Sequence, residues 1–217
     1  MADSLALELA GEAVELFAER ALFWLRARRL FIADLHLGKA DAFRRSGIAL
    51  PRGGTSHDLA RLSALVERTR AESLWILGDV LHGRVTGSEW QRSWHAWRAR
   101  HPLLAVGALA GNHDRALADA GLEIALLGET VEQPPFAFRH DPIPHAHLHV
   151  VCGHVHPVLA LPGSTRRWPA FWLRERMTVL PAFAAFTGGW AVELAAGERA
   201  VLCGPDAIAP VGGGLRG

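Results

Sequence analysis

The sequence predicts a layered α/β fold in a single domain over residues 1–217, with two β-sheets packed as a sandwich and helices outside. Three observations predict it. The first half alternates short apolar runs with helix-period stretches. The second half is nearly all short strand-like runs, separated by turn signals at Pro134-Pro135, Pro162-Gly163 and Gly188-Gly189. No repeat or polar linker divides the 217 residues, a length that one core can serve.

Leu5–Leu9, Ala13–Phe17 and Ala21–Leu25 are short apolar strands, separated by Gly11 and by charge. Arg29–Ala33 is a continuous apolar run ending at Asp34, as a central buried strand should be. Thr55 with Asp58 predicts a capping box opening a helix over 56–70, with Leu59, Leu62, Leu65 and Val66 on one stripe. Ser73–Leu77 is a second buried strand, ending at Gly78-Asp79. Residues 88–99 read as a helix in which Trp90, Trp94 and Trp97 form one core-facing stripe rather than a base-stacking platform. Leu103–Val106 is a third strand, leading to Gly111-Asn112-His113-Asp114 and a short helix. The later strands are Phe136–Arg139, Leu148–Cys152, Val155–Leu161, Ala170–Leu173, Thr178–Leu180 and Trp190–Leu194. The glycine-rich tail from Gly212 is expected to fray.

Composition excludes several classes. Half the residues are hydrophobic and 21% are charged, which excludes a disordered chain. With 23 basic and 22 acidic residues, any polyanion must be held by local geometry and not by a bulk positive field. Cys152 and Cys203 belong to no CxxC pair, so thiolate zinc sites and disulfide frameworks are excluded and both read as small buried hydrophobes. The N-terminus carries Asp3, Glu8, Glu12 and Glu15 and no basic region, and no uncharged apolar run reaches the ~18 residues of a membrane span. The expectation is a soluble, cytoplasmic protein without membrane contact. The unusual feature is 12 histidines against no tyrosine.

Five segments hold most of the unusual residues, and each follows a predicted buried strand. They are Asp34-Leu35-His36, Gly78-Asp79-Val80-Leu81-His82, Gly111-Asn112-His113-Asp114, Arg139-His140-Asp141-Pro142 and Gly153-His154-Val155-His156. Loops at the carboxyl ends of strands are where an α/β layer gathers functional groups. Converging, they offer carboxylates, imidazoles and one neutral amide oxygen, a donor set suited to Mn, Fe or Zn. A carboxylate has two oxygens, so Asp79 or Asp34 could bridge a pair of ions ~3.5–4 Å apart. Each segment alone is weak; five in order are not.

These segments resemble the signature of the calcineurin-like metallophosphoesterase superfamily: D-x-H, G-D-x-x-H/D, G-N-H-D/E, a later H, then G-H-x-H. The match runs from Asp34 to His156 with every signature position filled. The resemblance implies a four-layer α/β/β/α sandwich and two divalent metal ions per chain, Mn²⁺ first, with Fe or Zn as alternatives. By the same resemblance Asp34, His36, Asp79 and His156 hold one ion, and Asp79, Asn112, His140 and His154 the other. His113, oriented by Asp114, is then the general acid or phosphate-binding residue. A pair of cations would lower the pKa of a bridging water, so that hydroxide is available to attack phosphorus in line with the leaving oxygen.

A narrower resemblance rests on Ala21–Trp24, Ile32–Ala40, Phe43–Gly47 and Leu180–Gly189. These segments are similar to the bacterial ligase-associated DNA damage response endonucleases. That implies a DNA substrate in repair, with a DNA ligase and a helicase as partners. Arg44, Arg45, Arg52, Arg84 and Arg115 lie in or after the site loops and could position a phosphodiester backbone. His82, at the signature's variable position, is a further candidate for lining the site. His145, His147 and His149 alternate with apolar residues and are expected on an exposed face; His57, His95 and His101 are expected to be surface or capping residues. The reading is a DNA phosphodiesterase or endonuclease. Its alternatives are a small-molecule phosphatase or phosphodiesterase and a scaffold that lost catalysis, which unbroken ligands disfavour.

Overall fold

The computed structural model describes residues 2–48, 53–82, 89–161 and 163–212. Seven strands form the first sheet in chain order: β1 (Ser4–Leu9), β2 (Glu12–Phe17), β3 (Ala21–Trp24), β4 (Arg29–Ile32), β5 (Ser73–Ile76), β6 (Ala105–Ala108) and β7 (Ala125–Leu126). β1 to β4 run antiparallel, an up-and-down meander made by tight connections. β4 to β7 run parallel, because helical crossovers return the chain to the same edge each time.

Three helices lie in the first half: α1 (Lys39–Arg45), α2 (Gly54–Thr69) and α3 (Glu89–Arg100). Trp90, Trp94 and Trp97 are buried with Leu59, Leu62 and Leu65 in one core that also holds Leu30, Ile32, Leu74 and Ile76. The tryptophan stripe is therefore core, as expected. The cap of α2 is not as expected. Gly53, left-handed at φ 86°, precedes the helix and no side chain caps it. Asp58 instead takes Arg61 at 2.9 Å and the backbone N–H of Ala185, and so ties the helix to a distant loop.

The second sheet contains β8 (Thr130–Gln133), β9 (Phe136–Arg139), β10 (His149–Cys152), β11 (Pro157–Ala160), β12 (Arg167–Arg174), β13 (Met177–Val179), β14 (Trp190–Ala191), β15 (Arg199–Cys203) and β16 (Ile208–Val211). Its order is β14-β11-β12-β13-β10-β9-β8, with β15 and β16 added on β12. β15 and β16 lie beyond the last strand predicted, and Leu103, expected in a strand, is 96% exposed before β6. Between the sheets Trp24, Phe31, Leu77, Phe136, Phe138 and Phe171 form a second core, with Phe31 and Phe138 stacked at 4.6 Å. The α/β sandwich is as predicted.

His149 departs from its predicted exposed face. It is buried at the start of β10, with Nε2 2.9 Å from Thr178 Oγ1 and its ring edge-on to Phe136. The strand begins only there, so the alternation read from His145 onward does not apply. His57 and His95 are exposed, while half-buried His101 bonds Ser63 at 2.8 Å. Both cysteines are buried and free. No helix among the described residues is long and apolar enough to cross a membrane. Of the tail, only Gly212 lies within the described residues.

Candidate metal centre

The site is built where parallel strands end together. β4, β5 and β6 are parallel neighbours, so Asp34, Asp79 and Gly111–His113 leave the first sheet at one edge. β9 and β10 are parallel neighbours in the second sheet, so His140 and the Gly153–His156 turn leave at its corresponding edge. A bridge from Ala33 to Ala182 and the Phe183 N–H donated to the Ala33 carbonyl stitch the two edges together.

Six of the seven predicted ligands, joined by Asp141, converge in three overlapping groups. Asp34, His36 and His156 form one; Asp34, Asp79 and His140 the next; His140, Asp141 and His154 the third; within each, the ligand atoms lie within 4.8 Å of one another. Asp34 Oδ1 is 3.2 Å from His156 Nε2, and Asp79 Oδ1 is 3.6 Å from His140 Nε2. The Asn112 side-chain amide reaches His154 Nδ1 at 3.3 Å.

Ring orientation is set by backbone. His140 Nδ1 donates to the Leu77 carbonyl at 2.9 Å and His156 Nδ1 to the Gly188 carbonyl at 3.2 Å. A carbonyl can only accept, so each Nδ1 carries the proton and each Nε2 turns a lone pair into the site, the usual arrangement behind a metal-bound histidine. Burial pushes the His36 pKa down to about 2, with Lys39 and neighbouring histidines adding to it, so that ring is held neutral.

Asp34 Oδ1, both nitrogens of His36 and Nε2 of His156 are buried without a hydrogen-bond partner among the described residues. Such groups cost about 1–3 kcal/mol each when left unsatisfied. A divalent cation would take Asp34 Oδ1, one nitrogen of His36 and Nε2 of His156 together, and nitrogen and oxygen donors without thiolate suit a borderline or hard ion. The residues present fit the metal.

The local backbone is bent to make this possible. Of the ten non-glycine residues at positive φ among the described residues, five are Asp34, His36, Asp79, His154 and His156. Such conformations cost of order 1–3 kcal/mol and persist where the surroundings impose them. The motif glycines make room: a Cβ on Gly111 would lie 2.2 Å from the Asp79 nitrogen, and one on Gly78 2.3 Å from His140 Nδ1.

A profile for calcineurin-like phosphoesterases matches residues 27–175, which include every one of these residues. The chain belongs to the calcineurin-like phosphoesterase family. The crystal structure of Pseudomonas putida nuclease MPE is similar over 96% of this chain and 100% of that one, at 38% identity and a TM-score of 0.83. Yfce, a phosphoesterase from E. coli, is similar over 84% of this chain and 97% of that one, at 16% identity and a TM-score of 0.48. None of the curated proteins matches. This phosphoesterase is accordingly a hydrolase of phosphate esters, in a family whose chemistry uses divalent metal ions.

The remaining candidates of the phosphoesterase fall into place around that centre. The His113 side chain is 49% exposed at its mouth; its N–H donates to Asp79 Oδ1 at 3.0 Å. Asp114 does not orient it. Its buried carboxylate accepts the N–H groups of Leu81 and Gly111, each at 3.0 Å, and so pins two site loops to each other. His82 lines the site, its ring 5.7 Å from those of His36 and His113. Arg44 ion-pairs with Asp41 on α1, and Arg115 is exposed in the 3-10 turn Asp114–Ala116. The side chain of Arg45, and the whole of Arg52 and Arg84, lie outside the described residues.

Two residues escaped the sequence reading. Asp141 Oδ1 is 3.6 Å from His154 Nδ1, a position that adjacency to His140 could have suggested. Lys39, the sole lysine, is half-buried beside the centre and donates to Thr187 Oγ1 at 3.1 Å. Only the fold brings Thr187 to it.

Proposed function

We propose that the chain is a metal-dependent DNA phosphodiesterase, an endonuclease acting in DNA repair in a reducing cytoplasm. The observation that carries this reading is the continuous chain of ligand groups, in which Asp34 and His140 each belong to two clusters. That arrangement supports two cations and not one. Asp34, His36, Asp79 and His156 would hold the first, and Asp79, Asn112, His140 and His154 the second. When bound, two such ions supply an acidified water and a clamp on the phosphoryl oxygens. Mn²⁺ suits the mixed carboxylate and imidazole donors.

The chain's own residues do the rest. Asp79 holds the His113 loop through its N–H, and Asp114 fixes the turn that carries it. His113 stands at the open face with its imidazole free to turn toward a leaving oxygen, where a proton is needed as the ester bond breaks. His82 flanks it on the substrate side. Arg44 on α1 and Arg115 in the turn after His113 are the candidate phosphate-binding cations. Similarity to a Pseudomonas putida nuclease over nearly the whole chain supports a nucleic-acid substrate. A DNA ligase and a helicase are the partners that such a repair role would bring.

The test uses circular single-stranded DNA with Mn²⁺. An endonuclease linearises the circle. A protein that leaves the circle intact while hydrolysing p-nitrophenyl esters is a small-molecule phosphoesterase.

A further inference from the structure

An open groove of 660 Å³ begins directly behind the metal ligand His156. Thr187, Gly188 and Gly189 form its near wall, and the Gly188 carbonyl is the acceptor for His156 Nδ1. Farther along, Arg20, Arg166 and Arg167 line it, and no acidic residue does so among the described residues. In a chain of net charge +1 this is a local concentration of positive charge.

The arginines differ in state. Arg20 Nη1 donates to the carbonyls of Ala182 and Ala184, so it braces the loop that leads to the groove. The Arg166 guanidinium lies over the Trp168 ring at 3.7 Å, which fixes its position without neutralising it. Arg166 and Arg167 are exposed and form no ion pair with an acid among the described residues. Fixed, unneutralised guanidinium groups are what phosphate oxygens bind best.

The geometry points to this groove as the track for single-stranded DNA flanking the scissile phosphate, with Arg166 and Arg167 each holding one phosphate. The inference rests on the DNA reading above and names where that strand lies. A space of this size is on the scale of a few nucleotides of one strand. Positively charged grooves that follow the backbone bind single strands without reading sequence.

The experiment measures binding of a labelled phosphorothioate dT12, which resists cleavage, to the Mn²⁺-loaded protein at several salt concentrations. Each lost phosphate contact lowers the slope of log K against log[salt] by roughly 0.7 on a single strand. The double variant Arg166→Gln/Arg167→Gln should lose about 1.4 from that slope and bind more weakly on every sequence. Arg166→Lys/Arg167→Lys, which keeps both charges, should retain the slope. A Gln variant with unaltered slope and affinity, while the unmodified protein binds dT12 and opens the circle, overturns the groove alone. An unmodified protein that neither binds dT12 nor cuts the circle overturns the DNA reading together with it.

Discussion

His140 Nε2 and His154 Nδ1 face each other at 3.0 Å. The His140 proton is held on Nδ1 by the Leu77 carbonyl, so Nε2 presents a lone pair to His154. Both rings belong to the cluster that a divalent cation would join.

Metal binding should therefore stabilise the fold. At a hundredfold excess over Kd the gain is about 2.7 kcal/mol, which for a chain of this size raises Tm by roughly 5–11 °C. Calorimetry with Mn²⁺ against EDTA reads it. His154→Ala should lose most of the increment, and an equal rise in that variant would remove His154 from the ligand set.

Asp79→Asn tests the shared carboxylate. Asp79 sits at φ 50°, a conformation that asparagine tolerates, so the fold should survive. The site loses one charge, and bound metal should fall toward zero with activity down by several orders of magnitude. A variant with two metals per chain and near-normal turnover would rule out Asp79 as the bridge.

His113→Ala tests the acid. General-acid catalysis is worth typically 10²–10⁴-fold. The loss should be large for a deoxyribose leaving group and small for p-nitrophenolate, which departs without a proton. Metal content should not change. Equal losses on both substrates would point to phosphate positioning instead.

Gly111→Ala tests the close approach behind Asp79. The new Cβ would meet the Asp79 nitrogen at 2.2 Å and Oδ1 at 2.4 Å. Backbone must move, at a cost of about 1–3 kcal/mol, and metal affinity should fall together with the urea midpoint. Unchanged affinity would mean that the loop can yield without disturbing the site.

His149 gives a pH dependence away from the centre. Burial, assisted by Arg176, lowers its pKa from 6.5 to about 4. Between those values the unfolded chain binds the proton and the native chain does not, so stability is fully present above pH 6.5 and falls as pH drops toward 4. His149→Gln does not titrate. In EDTA, the fall in urea midpoint from about pH 7 to about pH 5 should be smaller in the variant. Identical falls would show that His149 charges as readily folded as unfolded.

The five donor-bearing segments and the strands before them were legible in the sequence, because both signals are local. A buried strand is a short apolar run, and the donors that follow it are residue types with few other uses at such positions. The tryptophan stripe on α3 and the buried thiols were legible for the same reason. What the tertiary structure decided were partnerships across the chain. Asp58 reads as a helix cap within its own window, yet its carboxylate accepts the Ala185 N–H, 127 residues away. Asp114 reads as a partner for adjacent His113, yet it is taken by Leu81, 33 residues earlier. Thr178 claims His149, and Thr187 claims Lys39. A polar side chain in a folded interior bonds whatever donor or acceptor packing sets within hydrogen-bond reach of it, and spacing along the sequence carries no record of that.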